Sequence, residues 1–279
     1  MIIPSTSTRV ALAASFLLVG TARAQDCVEG VDWTKRTVCA KGIGAVNPKH
    51  PQSAARPGAL RAAQQTGLRN AIELVKGVPV NSNTTVANSM TADDNVRSKV
   101  EGYVKGFQFS QPHYMDDLTV EVFVQIPLDG VGDIVLPPTI QAQPSVKSWS
   151  WGEEGKGTPP QGLKSSVYTG LVVDARGLGI LPALSPRVLE FGGAQLYGSA
   201  NVSREWAVKY GMAGYAKSVA DARGMKDRVG DNPAIVKAVS ASGSAKTDAV
   251  LSNEDALSIK SAAQNLKFLS EARVVFVVD

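Results

Sequence analysis

The chain is predicted to be an α/β protein of two small domains, each a mixed sheet packed by helices. Three observations point there. Apolar runs of strand period alternate with stretches of helical period in both halves of the sequence. Between the halves, Pro127, Pro137, Pro138, Pro144, Pro159 and Pro160 punctuate a stretch with glycines between them. The length remaining after an export signal suits two modest domains, each able to build a core. The predicted division is a signal peptide over 1–24, a first αβ domain over 25–128, a linker over 129–165 and a second α/β domain over 166–279.

The signal rests on Arg9, the apolar run Val10 to Val19, and the small residues of Thr21-Ala-Arg-Ala24. Such a run is too short for a bilayer, which needs about 20 residues. Cleavage after Ala24 predicts a periplasmic or secreted protein beginning at Gln25, and no later segment reads as transmembrane. Lipidation of Cys27 is excluded because Asp26, not a small residue, precedes it. Cys27 and Cys39 are the only cysteines, and in an oxidising compartment they are expected to pair. Closing that short loop contributes roughly 3 kcal/mol in the chain-entropy account. Two thiols without a nearby histidine are too few ligands for zinc, so neither a metal nor a cofactor is expected. His50 and His113 fall on predicted loop or strand-edge positions, where solvated histidines are ordinary. Loss of Arg9 and Arg23 with the signal lowers the formal charge from +4 to +2. With no basic stripe, nucleic acid is not an expected partner.

In the first domain, Thr37 to Ala45 reads as a strand that turns Gly-rich as it leaves the sheet. A helix is expected from about Pro57, with Leu60, Leu68, Ala71, Ile72 and Val75 on one face and Gly77 as its stop. Val78 to Asn88 reads as a strand, and Val96, Val100, Tyr103 and Val104 mark a second helix. Phe107 to Tyr114 and Leu118 to Ile126 form a hairpin about Asp116-Asp117, the last strand alternating cleanly. Phe123 breaks the polarity of its outer face, a position for a covering loop or a partner. In the linker, Trp149 and Trp151 are candidate contact residues, to be tucked against a domain or anchored in a partner.

The second domain opens with a strand over Val167 to Ala175, then Arg176-Gly-Leu-Gly179. Strands are expected at Leu184 to Glu190 and Ile235 to Ser242; Gly192-Gly193 turns the chain into Ala194 to Tyr197, and shorter helical material surrounds Glu205 to Tyr215. A helix follows Ser252, with Ala256, Ile259, Ala263, Leu266 and Leu269 in one stripe and Glu254 and Asp255 at its positive end. The continuous apolar run Arg273 to Val278 belongs in mid-sheet, covered on both faces.

Ala40-Lys-Gly-Ile-Gly44, the alanine-rich helix Ala54 to Val75, Lys76-Gly-Val-Pro-Val80 leading to Thr84-Thr-Val86, and the alternating strand ending at Pro127-Leu128 carry a likeness. Over this third of the chain the sequence resembles the bacterial envelope family founded on a twenty-kilodalton surface lipoprotein, which includes flagellar outer-membrane protein P. The resemblance implies a non-enzymatic envelope component, in some members part of rings or disks around the flagellar motor. The chain departs from it in lacking a lipid-bearing cysteine, which favours a free periplasmic location. The second domain, with Tyr168 to Gly177 and Leu181-Pro-Ala-Leu-Ser-Pro186, is similar to the extension of longer exported members.

No reaction is indicated, and no catalytic residue is assigned. Gly42-Ile-Gly44 and Gly177-Leu-Gly179 are incomplete nucleotide fingerprints, and Gly152 to Gly157 lacks the residues of a phosphate loop; all three read as turns. There is no Gly-x-Ser-x-Gly elbow. Asp174 and Arg176, two apart on a strand, share a face and could hold an anion or pair with one another. Asp221-Ala-Arg-Gly224 repeats the tetrad in a stretch of helical pattern, so the repeat reads as accidental. The expected function is that of an exported structural or assembly protein with envelope or flagellar partners, itself included. The alternative is a periplasmic module binding a small anion or glycan through Asp174 and Arg176.

Overall fold

The computed structural model describes residues 27–46, 49, 51–117, 119–136, 168–261 and 267–279. The signal segment, His50, Leu118, the rest of the predicted linker with Trp149 and Trp151, and Ala263 and Leu266 lie outside the described residues.

The fold is mixed α/β. In the first unit β1 (Gly30–Asp32) and β2 (Thr37–Ala45) are followed by α1 (Gln52–Lys76), β3 (Pro79–Asn81) and β4 (Thr84–Thr85). Then come α2 (Val86–Ala92), α3 (Asp94–Lys105), β5 (His113–Tyr114), β6 (Thr119–Pro127) and α4 (Leu128–Val135). One antiparallel sheet, in order β1-β2-β6-β5, takes α1 on one face. Along β6 the predicted alternation holds: Val120, Val122, Val124 and Ile126 are buried, while Thr119, Glu121, Phe123 and Gln125 are half-exposed.

Helix α1 meets the sheet differently from the expectation. Its buried row is Ala55, Ala59, Ala63, Gly67, Ala71 and Val75, each four residues from the next; Leu60, Leu68 and Ile72 flank it. Gly42 and Gly44 are inside β2, not in a turn, and each accepts the helix at backbone distance. A Cβ at Gly42 would lie 2.0 Å from the Ala63 carbonyl oxygen, and one at Gly44 2.0 Å from that of Ala59. The Gly-x-Gly pattern is thus a packing device between strand and helix.

Other departures have local causes. Helix α1 starts before Pro57 because its first turn closes through Ala55 N–H to Pro51 O at 3.0 Å, ahead of the missing proline donor. Gly77 ends it in right-handed geometry (φ −71°), not the left-handed form. The strand predicted over 78–88 stops at Thr85, whose hydroxyl accepts from Asn88 N–H at 3.3 Å and starts α2. The predicted linker opens in α4, which buries Leu128 and Val131 in the first core.

The second unit runs through β7 (Gly170–Asp174), β8 (Val188–Glu190), β9 (Gln195–Tyr197), α5 (Arg204–Tyr210), β10 (Gly214–Ala216), α6 (Val219–Gly224) and α7 (Lys226–Val229). It continues through β11 (Pro233–Lys237), β12 (Ser240–Ser242), β13 (Asp248–Leu251), α8 (Asn253–Ser261), α9 (Lys267–Ser270) and β14 (Val274–Val277). A parallel sheet of order β10-β14-β7-β11 sits beside a smaller mixed sheet, β12-β13-β8-β9. As predicted, β14 lies in mid-sheet. Val274 and Phe276 join one core and Val275 and Val277 another, all at 0 % exposure.

The Ile235–Ser242 strand is two strands in different sheets, and β13 escaped prediction. Glu205–Tyr215 holds both α5 and the strand β10. The first half of Leu184–Glu190 is not in its own unit's sheet. Leu184 N–H donates to Pro79 O at 2.9 Å and Ser185 N–H to Val80 O at 2.7 Å, extending β3 of the first unit.

Further contacts tie the units into one body. Trp33 packs edge-on against Tyr215 with centroids 5.4 Å apart. Arg204 reaches Asp133 Oδ1 at 2.6 Å, and Arg187 reaches Ser82 Oγ at 3.0 Å. Arg187 is gripped in turn by fully buried Asp248, through Nε at 3.0 Å and Nη2 at 2.6 Å.

Candidate functional site

The sequence-predicted residues fall into three places. Cys27 and Cys39 form the expected disulfide, with Cα atoms 6.0 Å apart, and pin the segment before β1 to β2. Asp174 and Arg176 lie at the carboxyl end of β7, where ligands collect in parallel sheets. They meet each other: Arg176 Nε donates to Asp174 Oδ1 at 2.8 Å and Nη2 to Oδ2 at 2.7 Å. The guanidinium hydrogen bond holds the Asp174 carboxyl below its ordinary range, and the same bond raises Arg176. The pair is therefore satisfied within itself, the ion-pair form of the expectation. The second tetrad lies apart from it in α6.

Of what surrounds that pair, the sequence marks only the Gly177-Leu-Gly179 turn. Beyond β7 the chain turns through Gly177 and Gly179, both left-handed (φ 77° and 64°), with open space where a Cβ would stand. The Gly177 N–H donates to both carboxylate oxygens of Asp279, at 3.0 and 2.9 Å. Lys217, just past β10, donates its ammonium to the Asp279 main-chain oxygen. Lys237 ends β11 close enough to lower Asp174 further by its charge. A crown of three cations and two carboxylates thus rims the carboxyl ends of β7, β14, β10 and β11.

Through Lys217 and Asp279 the crown borders a groove with a volume of about 780 Å³. One wall is the open side of the first sheet, with Thr37, Cys39 and Gln125, and the segment Cys27 to Lys35. The other is Tyr215, Ala216, Lys217, Val278 and Asp279, with Pro182 at the edge. Both units are needed to shape it, a common setting for small-molecule sites.

Beneath the groove a polar core fixes the junction. Arg36, held in left-handed backbone geometry (φ 56°), donates to Asp129 Oδ1 at 2.7 Å and to Ala213 O at 2.8 Å. Its guanidinium fills the space a side chain at Gly211 would need, 1.8 Å from a built Cβ. Buried Arg228 donates to the carbonyls of Val274 (2.9 Å), Tyr210 (2.5 Å) and Gly211 (2.8 Å), and desolvation lowers it to about 10. Tyr215 Oη donates to Ala183 O and accepts from Ala183 N–H, both at 2.8 Å, while Tyr197 donates to Met212 O. Burial raises both phenols. These groups are committed to carbonyls, which is structural work. Among the described residues, no group of three or more His, Cys, Asp or Glu gathers as metal ligands would.

A family model described as "Treponema pallidum Tp0624, second domain" matches residues 170–279. The match begins at the first residue of β7 and takes in the parallel sheet, the crown and one wall of the groove. The second unit is thus similar to that domain. No curated protein matches the chain.

Proposed function

We propose that this chain is an exported, non-enzymatic structural or assembly component of the bacterial cell envelope, periplasmic or secreted after cleavage near Ala24. It works through protein contacts, with self-association and association with the flagellum as specific forms. The likeness of residues 40–128 to the envelope family supports this reading, and the match to a Treponema pallidum domain supports a bacterial setting.

One observation carries it. The face of the first sheet opposite α1 presents Ile43, 44 % exposed, and half-buried Phe123, and among the described residues neither joins a buried apolar cluster. Between them Lys41 and Glu121 neutralise one another at 3.1 Å. His113 stands edge-on to Phe123, 6.4 Å between ring centroids. An apolar patch with its charge already cancelled suits burial against another protein surface.

The test is light scattering on the mature protein, together with affinity capture from envelope fractions. The expected result is a mass above the monomer or a recurrent envelope partner, abolished by Phe123→Ser with the thermal midpoint unchanged. A strict monomer that captures no envelope protein would overturn the reading.

A further inference from the structure

The carboxyl end of a parallel sheet gathers strand-to-helix turns, and their unpaired amides make it a natural seat for anions. Here the seat is already filled by an anion of the protein's own. The Asp279 carboxylate straddles the Gly177 N–H with both oxygens, at 3.0 and 2.9 Å, on a turn with open space above it. Lys217 bonds the same residue's main chain, and Asp279 and Lys217 both line the 780 Å³ groove. Asp279 and Lys217 are exposed, so the carboxylate can leave its seat without opening the core. Arg176 remains beside it, 46 % exposed and oriented by the bidentate grip of Asp174.

We propose that this end of the parallel sheet is an oxyanion site. The Gly177 amide and the Lys217 ammonium receive the carboxylate or phosphate group of a small ligand, and the Asp279 side chain occupies the seat until that ligand displaces it. The ligand's body extends into the groove against Trp33, Tyr215 and Pro182, which line it. With the Asp279 side chain swung out, Lys217 keeps its bond to the Asp279 main-chain oxygen while Arg176 and Lys237 face Asp174 alone, so the rim carries a positive excess that draws an anion in. The Asp174–Arg176 pair is then a positioning element: paired internally, it holds the Arg176–Gly179 turn and presents the Gly177 amide. The anion seat itself uses neither Ile43 nor Phe123, so Phe123→Ser and Lys217→Ala test the two readings separately.

Titration calorimetry and thermal shift on the mature chain, at fixed ionic strength, test it with inorganic phosphate, with succinate, and with glucose as a neutral control. Saturable binding of at least one anion and none of glucose is expected; phosphate alone identifies a phosphoryl ligand, succinate alone a carboxylate. Asp279→Asn, which removes the competing charge, tightens binding about tenfold. Lys217→Ala weakens it about tenfold, Lys217→Arg restores it, and Lys226→Ala, in an exposed pair with Asp231, leaves it unchanged. Circular dichroism confirms the fold of each variant. Failure of both anions to bind wild type and Asp279→Asn overturns the proposal, as does binding that Lys217→Ala leaves intact.

Discussion

The two main sheets close their cores by opposite means. In the first, a 25-residue helix lies so near the strands that only Gly42, Gly44, Gly67 and a row of alanines fit between them. In the second, strand β14 is sheathed on both sides by large side chains, with Phe276, Leu171 and Val173 in one core and Val172, Val275 and Val277 in another. The first sheet therefore depends on backbone proximity and, among the described residues, leaves Ile43 and Phe123 of its other face outside any buried cluster, whereas the second depends on side-chain volume. Backbone proximity tolerates no added atom; filled volume tolerates no lost one.

Removing volume from the second sheet carries the largest expected effect. Phe276→Ala, at 0 % exposure, lowers unfolding stability by about 4 kcal/mol in urea denaturation. A loss under about 1 kcal/mol would show that the core closes over the gap. Adding one carbon to the first sheet comes next. Gly42→Ala sets a methyl against the Ala63 carbonyl and the Gly67 amide and costs about 3 kcal/mol, the upper end for overpacking. A neutral outcome would mean that α1 rides freely above the sheet.

The smallest effect belongs to the crown. Asp174→Ala costs no more than about 1 kcal/mol at neutral pH, since its partner Arg176 is exposed. Because the folded Asp174 carboxyl lies below its ordinary value of 3.8, its contribution is present above that pH and lost as pH falls through the folded value. The gap between wild type and variant in acid titrations of stability therefore narrows below pH 3.8. A gap that widened in acid would exclude the ion pair as its source.

The same contrast explains what could be read from the chain. Strand β14 was legible because an unbroken apolar run has no place except mid-sheet, and β6 because Val120 to Ile126 alternate without a break. The row Ala55, Ala59, Ala63, Gly67 was harder, since small residues carry little hydrophobic signal while Leu60 and Leu68 beside them carry much. Strand β13 and the Ser185 extension of β3 depend on partners far away in sequence, which no local period records. In the candidate site, the Asp174–Arg176 pair was visible from its spacing. The Asp279 carboxylate on the Gly177 turn was not, because its partner lies 102 positions away.

The bonds from Leu184 and Ser185 to Pro79 and Val80 have a consequence for assembly. A polypeptide emerging from its amino end completes β3 long before those acceptors meet their donors, roughly a hundred residues later. Closing so distant a loop is slow compared with forming α1, so the earlier unit waits in an unfinished state, one strand margin bare to solvent. Its maturation is thus timed by arrival of the later unit, and a truncation before Leu184 should leave that margin open to aggregation.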